Sequence, residues 1–165
     1  MSKIAILMGS KSDFNVVKPA VSVIKSFGVE VEVRVISAHR TPEEAHEFSL
    51  GAEKNGIEVI ICAAGKAAHL GGVIAANTTL PVIGLPVKTD MMGGLDSLLS
   101  IVQMPSGIPV ATVGVNAGEN AGLLALQILS IKYPEIATKL KDYKVKMKEK
   151  INSDDAALQS ELAGN

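Results

Sequence analysis

The chain has 165 residues, of which 47% are hydrophobic, so it can bury one sizeable core and is expected to form a single domain over residues 1–151. Its 16 basic and 17 acidic residues leave a formal net charge of -1. That balance provides no global field for nucleic acid or for an anionic membrane surface. Local groups must therefore hold any anionic ligand.

The sequence predicts neither secretion nor membrane insertion. Residues 1–5 run directly into an apolar strand, without the charged and apolar regions of a signal peptide. No apolar stretch is long enough to cross a bilayer without Gly or Pro. The one cysteine, Cys62, is expected to be a small buried hydrophobe rather than a nucleophile. We expect a cytoplasmic protein.

Strands and helices alternate along the chain. Strands are predicted over residues 3–8, 29–36, 57–64, 81–87 and 109–115. Helices are predicted over residues 13–27, 41–55, 67–77, 94–104, 118–131 and 135–151, with Pro19 expected to kink or reset the first. Residues 152–165 are polar and rich in small residues, which predicts a flexible tail. This alternation predicts a three-layer α/β fold around a parallel sheet of five strands.

Three segments carry more specific expectations. Residues 29–36 are dense in β-branched side chains and are expected to form a buried strand. Residues 57–64 are almost entirely apolar, as in a central parallel strand covered on both faces. Thr41, Pro42 and Glu44 have the spacing of a capping box at the start of a helix.

The loops that follow the first three strands carry nearly all the unusual polar residues. They are residues 9–13, 37–40 and 64–70. Ligands of parallel sheets bind beyond the carboxyl ends of the strands. We therefore expect the functional site to be formed by these three loops.

The first loop combines Gly9 with two serines and a carboxylate at the start of a helix. Ser10 and backbone N–H groups are suited to a phosphate, and Asp13 to sugar hydroxyls. The alternative is simple helix capping by Ser12 or Asp13. The segment has neither the Walker pattern nor a G-x-G-x-x-G turn.

The second loop places His39 and Arg40 before a helix N-terminus, where backbone N–H groups favour anions. A titratable group beside a cation suggests acid–base chemistry on a phosphorylated substrate. The alternative is a packed or solvated histidine. His46 lies within the following helix and is expected to be a surface residue rather than a metal ligand.

The third loop and the helix over residues 94–104 allow more ordinary interpretations. Small residues around His69 permit close approach of a planar ligand, or serve only helix–strand packing. The three histidines lack Cys or carboxylates at ligand spacing, so no zinc site is expected. The 94–104 helix is expected to be an amphipathic packing helix. Ser97, Ser100 and Ser106 lack a G-x-S-x-G elbow.

Four ordered segments closely resemble the class I PurE family of purine biosynthesis, the N5-carboxyaminoimidazole ribonucleotide mutases. The segments are Gly-Ser-Lys-Ser-Asp at 9–13, Ser-Ala-His-Arg-Thr-Pro at 37–42, Ala-Ala-His-Leu at 67–70, and the run from 96 to 105. The resemblance implies a homo-octamer of flavodoxin-like subunits without metal or organic cofactor. It also implies an isomerase that moves a carboxylate from exocyclic N5 of an imidazole to ring carbon C4.

The resemblance further implies a role for individual residues. Ser10, Asp13 and Arg40 would bind the ribose phosphate, helped by Ser12 and Ser37. His39 matches the proton-transfer histidine, and His69 is the second catalytic candidate. The other implied substrate-binding residues are Ala38, Ala64, Gly65, Lys66, Ala67 and Leu70.

Two positions depart from the family pattern. Lys66 stands where the family usually has glycine, and adds a cation near a substrate carboxylate or a neighbouring subunit. Gly71 stands where proline is usual and is expected to loosen the loop. The retained segment 67–70 favours the mutase over the direct carboxylase branch of the family, which uses carbon dioxide.

Three other functions are compatible with the same residues, and one helix predicts contacts between subunits. The alternatives are a direct aminoimidazole ribonucleotide carboxylase, a non-catalytic phosphosugar-binding module and a flavodoxin-like electron carrier. The last is disfavoured because the chain lacks the aromatic residues that usually sandwich a flavin. The helix over residues 118–131 is apolar on most faces, so we expect neighbouring subunits to cover it.

Overall fold

The computed structural model describes residues 2–164, and within this range five strands alternate with six α-helices. The strands are β1 (Lys3–Met8), β2 (Glu30–Val35), β3 (Ile57–Ala64), β4 (Val82–Pro86) and β5 (Ala111–Thr112). The helices are α1 (Phe14–Ser26), α2 (Pro42–Gly51), α3 (Leu70–Ala76), α4 (Leu95–Val102), α5 (Gly118–Ser130) and α6 (Pro134–Ala163). A short 3-10 turn, Lys11–Asp13, precedes α1. No helix of these residues is long and apolar enough to cross a membrane.

The strands form one parallel sheet in the order β2-β1-β3-β4-β5. The order reverses at β1, which lies between β2 and β3. Such a reversal opens a crevice at the carboxyl ends of the strands, where ligands of these folds bind. The predicted fold and the predicted location of the three loops are therefore confirmed.

Two apolar cores lie on opposite faces of the sheet. Alternate residues of β1 point to opposite sides, so Ile4 and Ile6 join one core and Ala5 and Leu7 the other. The first core includes side chains of α1, α5 and α6, and the second includes side chains of α2, α3 and α4. β3 is buried along nearly its whole length, which confirms the prediction of a central strand.

The prediction that residues 29–36 form a buried strand holds only at the two ends of the segment, where Val29 and Ile36 are buried. β2 is an edge strand whose residues are exposed or half-buried, and the Val35 side chain is 54% exposed. Charged residues alternate along it, and Lys3 of β1 pairs with Glu32 at 2.7 Å. Charges on an edge strand discourage pairing with another chain. Of the β-branched residues of this segment, Val29 and Ile36 are buried, Val31 and Val33 are half-buried against the first core, and only Val35 is exposed.

The predicted capping box at the start of α2 was also wrong, although Pro42 does open the helix. The Thr41 hydroxyl accepts the Ser37 N–H at 3.0 Å and donates to the Ser37 carbonyl at 3.1 Å. It makes no hydrogen bond to the helix N-terminus. The hydroxyl instead closes the turn that carries His39 and Arg40.

The first and last helices are more continuous than predicted. α1 runs through Pro19 without interruption. α6 extends past the predicted end at Ile151 to Ala163, so residues 152–163 are helical rather than irregular, although their side chains are exposed. An ion pair of 2.6 Å between Lys150 and Asp154 spans one turn of the extension. Flexibility of the 152–165 segment stays a prediction, as does the domain boundary at 151, and Asn165 lies outside the described residues.

The apolar surface of α5 is covered largely within the subunit. Ala121, Gly122 and Leu126 are buried, and α5 packs against α1, α6 and the sheet. A Cβ built on Gly122 would lie 2.5 Å from the Val23 side chain and 3.1 Å from the Ala20 backbone. Glycine therefore permits the close crossing of α1 and α5. Leu123, Leu124 and Ile128 are only half-buried and Ile131 is 88% exposed, so cover of this remaining surface by neighbouring subunits stays a prediction.

Candidate functional site

The first two loops are joined by the guanidinium of Arg40. Its terminal nitrogen donates to the Gly9 carbonyl at 2.6 Å, and its Nε donates to the Ser37 hydroxyl at 3.3 Å. The same Ser37 oxygen accepts the Arg40 backbone N–H at 3.2 Å. These bonds hold the cation beside the carboxyl end of β1.

The first loop is closed by Ser10. Its oxygen accepts the Ser12 N–H at 3.3 Å and the Ser12 hydroxyl at 2.9 Å, and the Ser12 hydroxyl also contacts Asp13 at 3.3 Å. Asp13 makes no side-chain capping bond to α1. The side chain of Ser10 thus caps the 3-10 turn that precedes α1, and Asp13 does not cap α1.

The second and third loops meet through two histidines. His39 Nε2 lies 2.8 Å from His69 Nδ1, and the two rings are nearly perpendicular, with centroids 4.9 Å apart. One ring nitrogen of such a contact must carry the proton and the other must accept it. The pair can therefore hold and pass a proton at this edge of the sheet.

The cavity between the loops measures about 630 Å³, which lies within the usual range for small-molecule sites. It is lined by Ser10, Asp13, Ser37, Ala38, His39, Arg40, Ala64, Gly65, Lys66, Ala67, His69 and Leu70. Ser12, which the sequence also predicted as a site residue, does not border the cavity. Its hydroxyl contacts two residues that do, Ser10 and Asp13. His46 lies outside it, exposed on α2, with Nδ1 3.0 Å from Asn77 Oδ1.

Sequence comparison identifies the family. A profile of the AIR carboxylase family matches residues 3–150. The N5-carboxyaminoimidazole ribonucleotide mutase of Pyrococcus abyssi is 62% identical over 148 residues, which are 90% of this chain and 85% of that protein. The Thermotoga maritima enzyme of the same name is 56% identical over 151 residues, 92% of this chain and 88% of that one. The chain belongs to the AIR carboxylase family.

A solved structure agrees with this assignment. Treponema denticola PurE is 34% identical, with a TM-score of 0.85, and the match covers 96% of this chain and 99% of that one. The family resemblance and the flavodoxin-like α/β fold inferred from the sequence are thus confirmed.

The sequence did not reveal how this AIR carboxylase family member supports its third loop. The Ser97 hydroxyl accepts the Lys66 N–H at 2.9 Å, and the Ser100 hydroxyl donates to the Lys66 carbonyl at 3.3 Å. Ser97 is fully buried at the start of α4. The 94–104 helix therefore does more than pack, because its serines fix the backbone of the loop that carries His69.

A fourth loop at the cavity was missed as well. Gly9 of the first loop also lines the cavity, and the residues after β4, Val87, Lys88 and Thr89, complete the lining. The Thr89 hydroxyl donates to Asp96 at 2.6 Å, and this bond holds the pKa of the Asp96 carboxyl below its ordinary value. Position after a β-strand was the available signal for these residues, and it was applied only to the first three strands.

The family departure at position 71 lies in a helix. Gly71 is buried within the first turn of α3 and does not belong to the loop. A Cβ there would meet Val110 at 3.6 Å, an ordinary van der Waals contact. Gly71 thus lies just after the loop, and the expected loosening stays a prediction.

Burial raises the pKa of two other ionisable groups, one at the cavity and one inside the sheet. It raises the pKa of the Asp13 carboxyl, against the lowering effects of hydrogen bonds from Ser12 and Ser10 and of the Arg40 charge. It also raises the pKa of the Cys62 thiol, which lies 1% exposed within β3. Cys62 is therefore a buried thiol, as predicted. Within residues 2–164 no group of three or more His, Cys, Asp or Glu side chains is arranged to hold a metal ion.

Proposed function

We propose that this chain is an N5-carboxyaminoimidazole ribonucleotide mutase, an isomerase that acts in purine biosynthesis. The observation that carries the proposal is the 2.8 Å contact between His39 and His69 in a cavity bordered by Arg40. Relatives of that name at 62% and 56% identity support it. The product is 4-carboxy-5-aminoimidazole ribonucleotide.

The ribose phosphate is assigned to the edge of the cavity formed by the first two loops. Arg40 supplies a guanidinium suited to charge-assisted bonds with phosphate. Ser10 adds a hydroxyl and Asp13 an acceptor for sugar hydroxyls. Ser12 and Ser37 act by orienting these groups, since their contacts lead to Ser10, Asp13 and Arg40.

The imidazole is assigned to the two histidines and the third loop. His39 donates a proton to N5 of the carboxylated substrate, and the N5–carboxyl bond breaks with its electron pair remaining on nitrogen. Carbon dioxide is released within the cavity, and ring carbon C4 forms a bond to it. His39 then removes the C4 proton, so one proton is given and one recovered. An imidazole can both donate and accept a proton, which suits both steps.

His69 and the third loop retain the intermediate. His69 contacts His39 directly and holds the orientation of its ring. Ala38, Ala64, Gly65, Ala67 and Leu70 bring small or apolar surface to the cavity. Carbon dioxide is uncharged, so retaining it depends on excluding water and closing the space around it rather than on charge.

The test is an ultraviolet assay of carboxylated nucleotide conversion with and without bicarbonate. A mutase turns over N5-carboxyaminoimidazole ribonucleotide without added bicarbonate, whereas a direct carboxylase requires it. His39→Asn should lower turnover by about 10²–10⁴-fold, the usual contribution of acid–base catalysis. His46→Asn is the matched control, since His46 lies outside the cavity. Wild-type protein that binds the nucleotide without converting it would support the binding-module alternative.

We further propose that the enzyme is a cytoplasmic homo-oligomer, specifically an octamer. Exposed apolar side chains beside the cavity support self-association, because Met91, Met92, Leu99 and Val102 are between 46% and 78% exposed. Analytical ultracentrifugation at assay concentration tests it. A monodisperse, fully active monomer would refute the oligomer.

A further inference from the structure

Lys66 adopts a backbone conformation that lysine normally avoids. Its φ of 57° lies in the left-handed region, where an L-amino acid pays a steric cost that glycine does not. Residues held in such conformations cluster at functional sites. The strained backbone at Lys66 therefore indicates that its side chain has a function.

The strained backbone is held in place from α4. Ser97 accepts the Lys66 N–H and Ser100 donates to the Lys66 carbonyl, so both polar groups of the residue are bonded to one helix. The loop conformation is therefore fixed without any contribution from the lysine side chain. A residue with no side chain would satisfy the same two bonds.

The Lys66 side chain borders the cavity and is exposed. No ion pair found among residues 2–164 involves it, whereas the Arg40 guanidinium is already bonded to the Gly9 carbonyl and the Ser37 hydroxyl. The cavity is thus bordered by Arg40 on the second loop, Lys66 on the third and Lys88 on the fourth. A ligand with two separate anionic groups matches this arrangement.

We propose that Lys66 is a specificity-determining residue whose ammonium group recognises the carboxylate of the nucleotide. This inference rests on the proposed function. The phosphate is common to carboxylated and uncarboxylated aminoimidazole ribonucleotide, so Arg40 does not distinguish them. The carboxylate is negatively charged before and after its transfer, and a nearby cation attracts it in both states. Lys66 therefore favours the carboxylated nucleotides over the uncarboxylated one.

The test compares binding of two probes, aminoimidazole ribonucleotide and its 4-carboxy derivative, by isothermal titration calorimetry. Lys66→Gly and Lys66→Asn should each reduce the preference for the carboxylated probe by about 5-fold, the scale of a solvent-accessible ion pair. Affinity for the uncarboxylated probe should stay within 2-fold by the same reasoning, because no charge pair is lost. Lys66→Arg should keep the preference.

The stability of the variants separates recognition from folding. Lys66→Gly should melt at the same or a higher temperature, because glycine relieves the left-handed strain. Met92→Gly is the matched control, since Met92 has a φ of 45°, is 78% exposed and does not line the cavity. It should leave the preference for the carboxylated probe unchanged.

The inference is overturned if Lys66→Gly and Lys66→Asn retain the wild-type preference, or if both probes weaken equally. Loss of the preference in Lys88→Gln but not in Lys66→Gly would assign the recognition to the other lysine that borders the cavity. Failure of the proposed function has a different signature: the wild type would prefer the carboxylated probe through Lys66 yet convert none of the N5-carboxylated substrate. A wild type that binds neither probe would refute both.

Discussion

Replacing Ser97 by alanine tests whether α4 holds the third loop in place. The hydroxyl is fully buried and is the acceptor for the Lys66 N–H at 2.9 Å. Leaving a buried donor unpaired costs about 1–3 kcal/mol, and because Lys66 itself is exposed we expect the lower part of that range, about 1–2 kcal/mol. For a domain of this size each kcal/mol corresponds to about 2–4 °C, so the melting temperature should fall by about 2–8 °C.

The loop that loses its anchor also carries His69, so catalysis should change as well. Ser97→Ala should lower kcat by on the order of 10-fold, equivalent to about 1.4 kcal/mol in the barrier. Ser100→Ala is the matched control, because its hydroxyl is satisfied mainly by the Asp96 carbonyl at 2.7 Å and lies 3.3 Å from the Lys66 carbonyl. Calorimetric melting and steady-state kinetics on both variants provide the measurement. Equal melting temperatures and equal kcat for the two variants would refute the anchoring role.

Three further predictions address the phosphate edge and the helix crossing. Burial raises the pKa of Asp13, so folding favours its neutral form; that stabilisation is present at low pH and is lost as pH rises through the raised value. Asp13→Asn should therefore melt no lower than wild type at pH 7 while binding nucleotide more weakly, and a lower melting temperature would contradict the sign of the shift. Arg40→Ala should raise KM at least 10-fold through loss of charge-assisted bonds. An unchanged KM for the phosphate-bearing substrate would remove Arg40 from the phosphate site. Gly122→Ala should unfold about 1–3 kcal/mol more easily in urea because its Cβ meets α1, whereas Gly51→Ala, whose Cβ would lie 3.4 Å from Asn55, should be neutral.

Local pattern was sufficient where a single physical requirement dominates. The apolar run that became β3 was placed correctly because a strand buried on both faces needs apolar residues at nearly every position. The loops carrying His39 and His69 were placed at the carboxyl edge because parallel strands end there together. These inferences require no knowledge of which strands are neighbours.

Pattern failed where the outcome depends on partners distant in sequence. The residues of β2 have strong strand propensity, but their burial depended on how far the helices cover the edge of the sheet, and they lie exposed or half-buried at that edge. The hydroxyl of Thr41 had two possible partners, and the turn at Ser37 prevailed over the helix N-terminus.

The strand order explains why the site needs a glycine at its centre. β1 lies between β2 and β3, so a contact between His39 and His69 must pass over the end of β1, where Gly9 stands. The Gly9 N–H donates to the Ala63 carbonyl at 3.2 Å, and its own carbonyl accepts from Arg40 at 2.6 Å, so its backbone ties all three strand ends together. A Cβ at Gly9 would meet no protein atom within 4 Å, which leaves its position open to the cavity. Gly9 thus links the strand ends through its backbone while contributing no side chain, and the space above it is left for the substrate that the two histidines and Arg40 are proposed to bind.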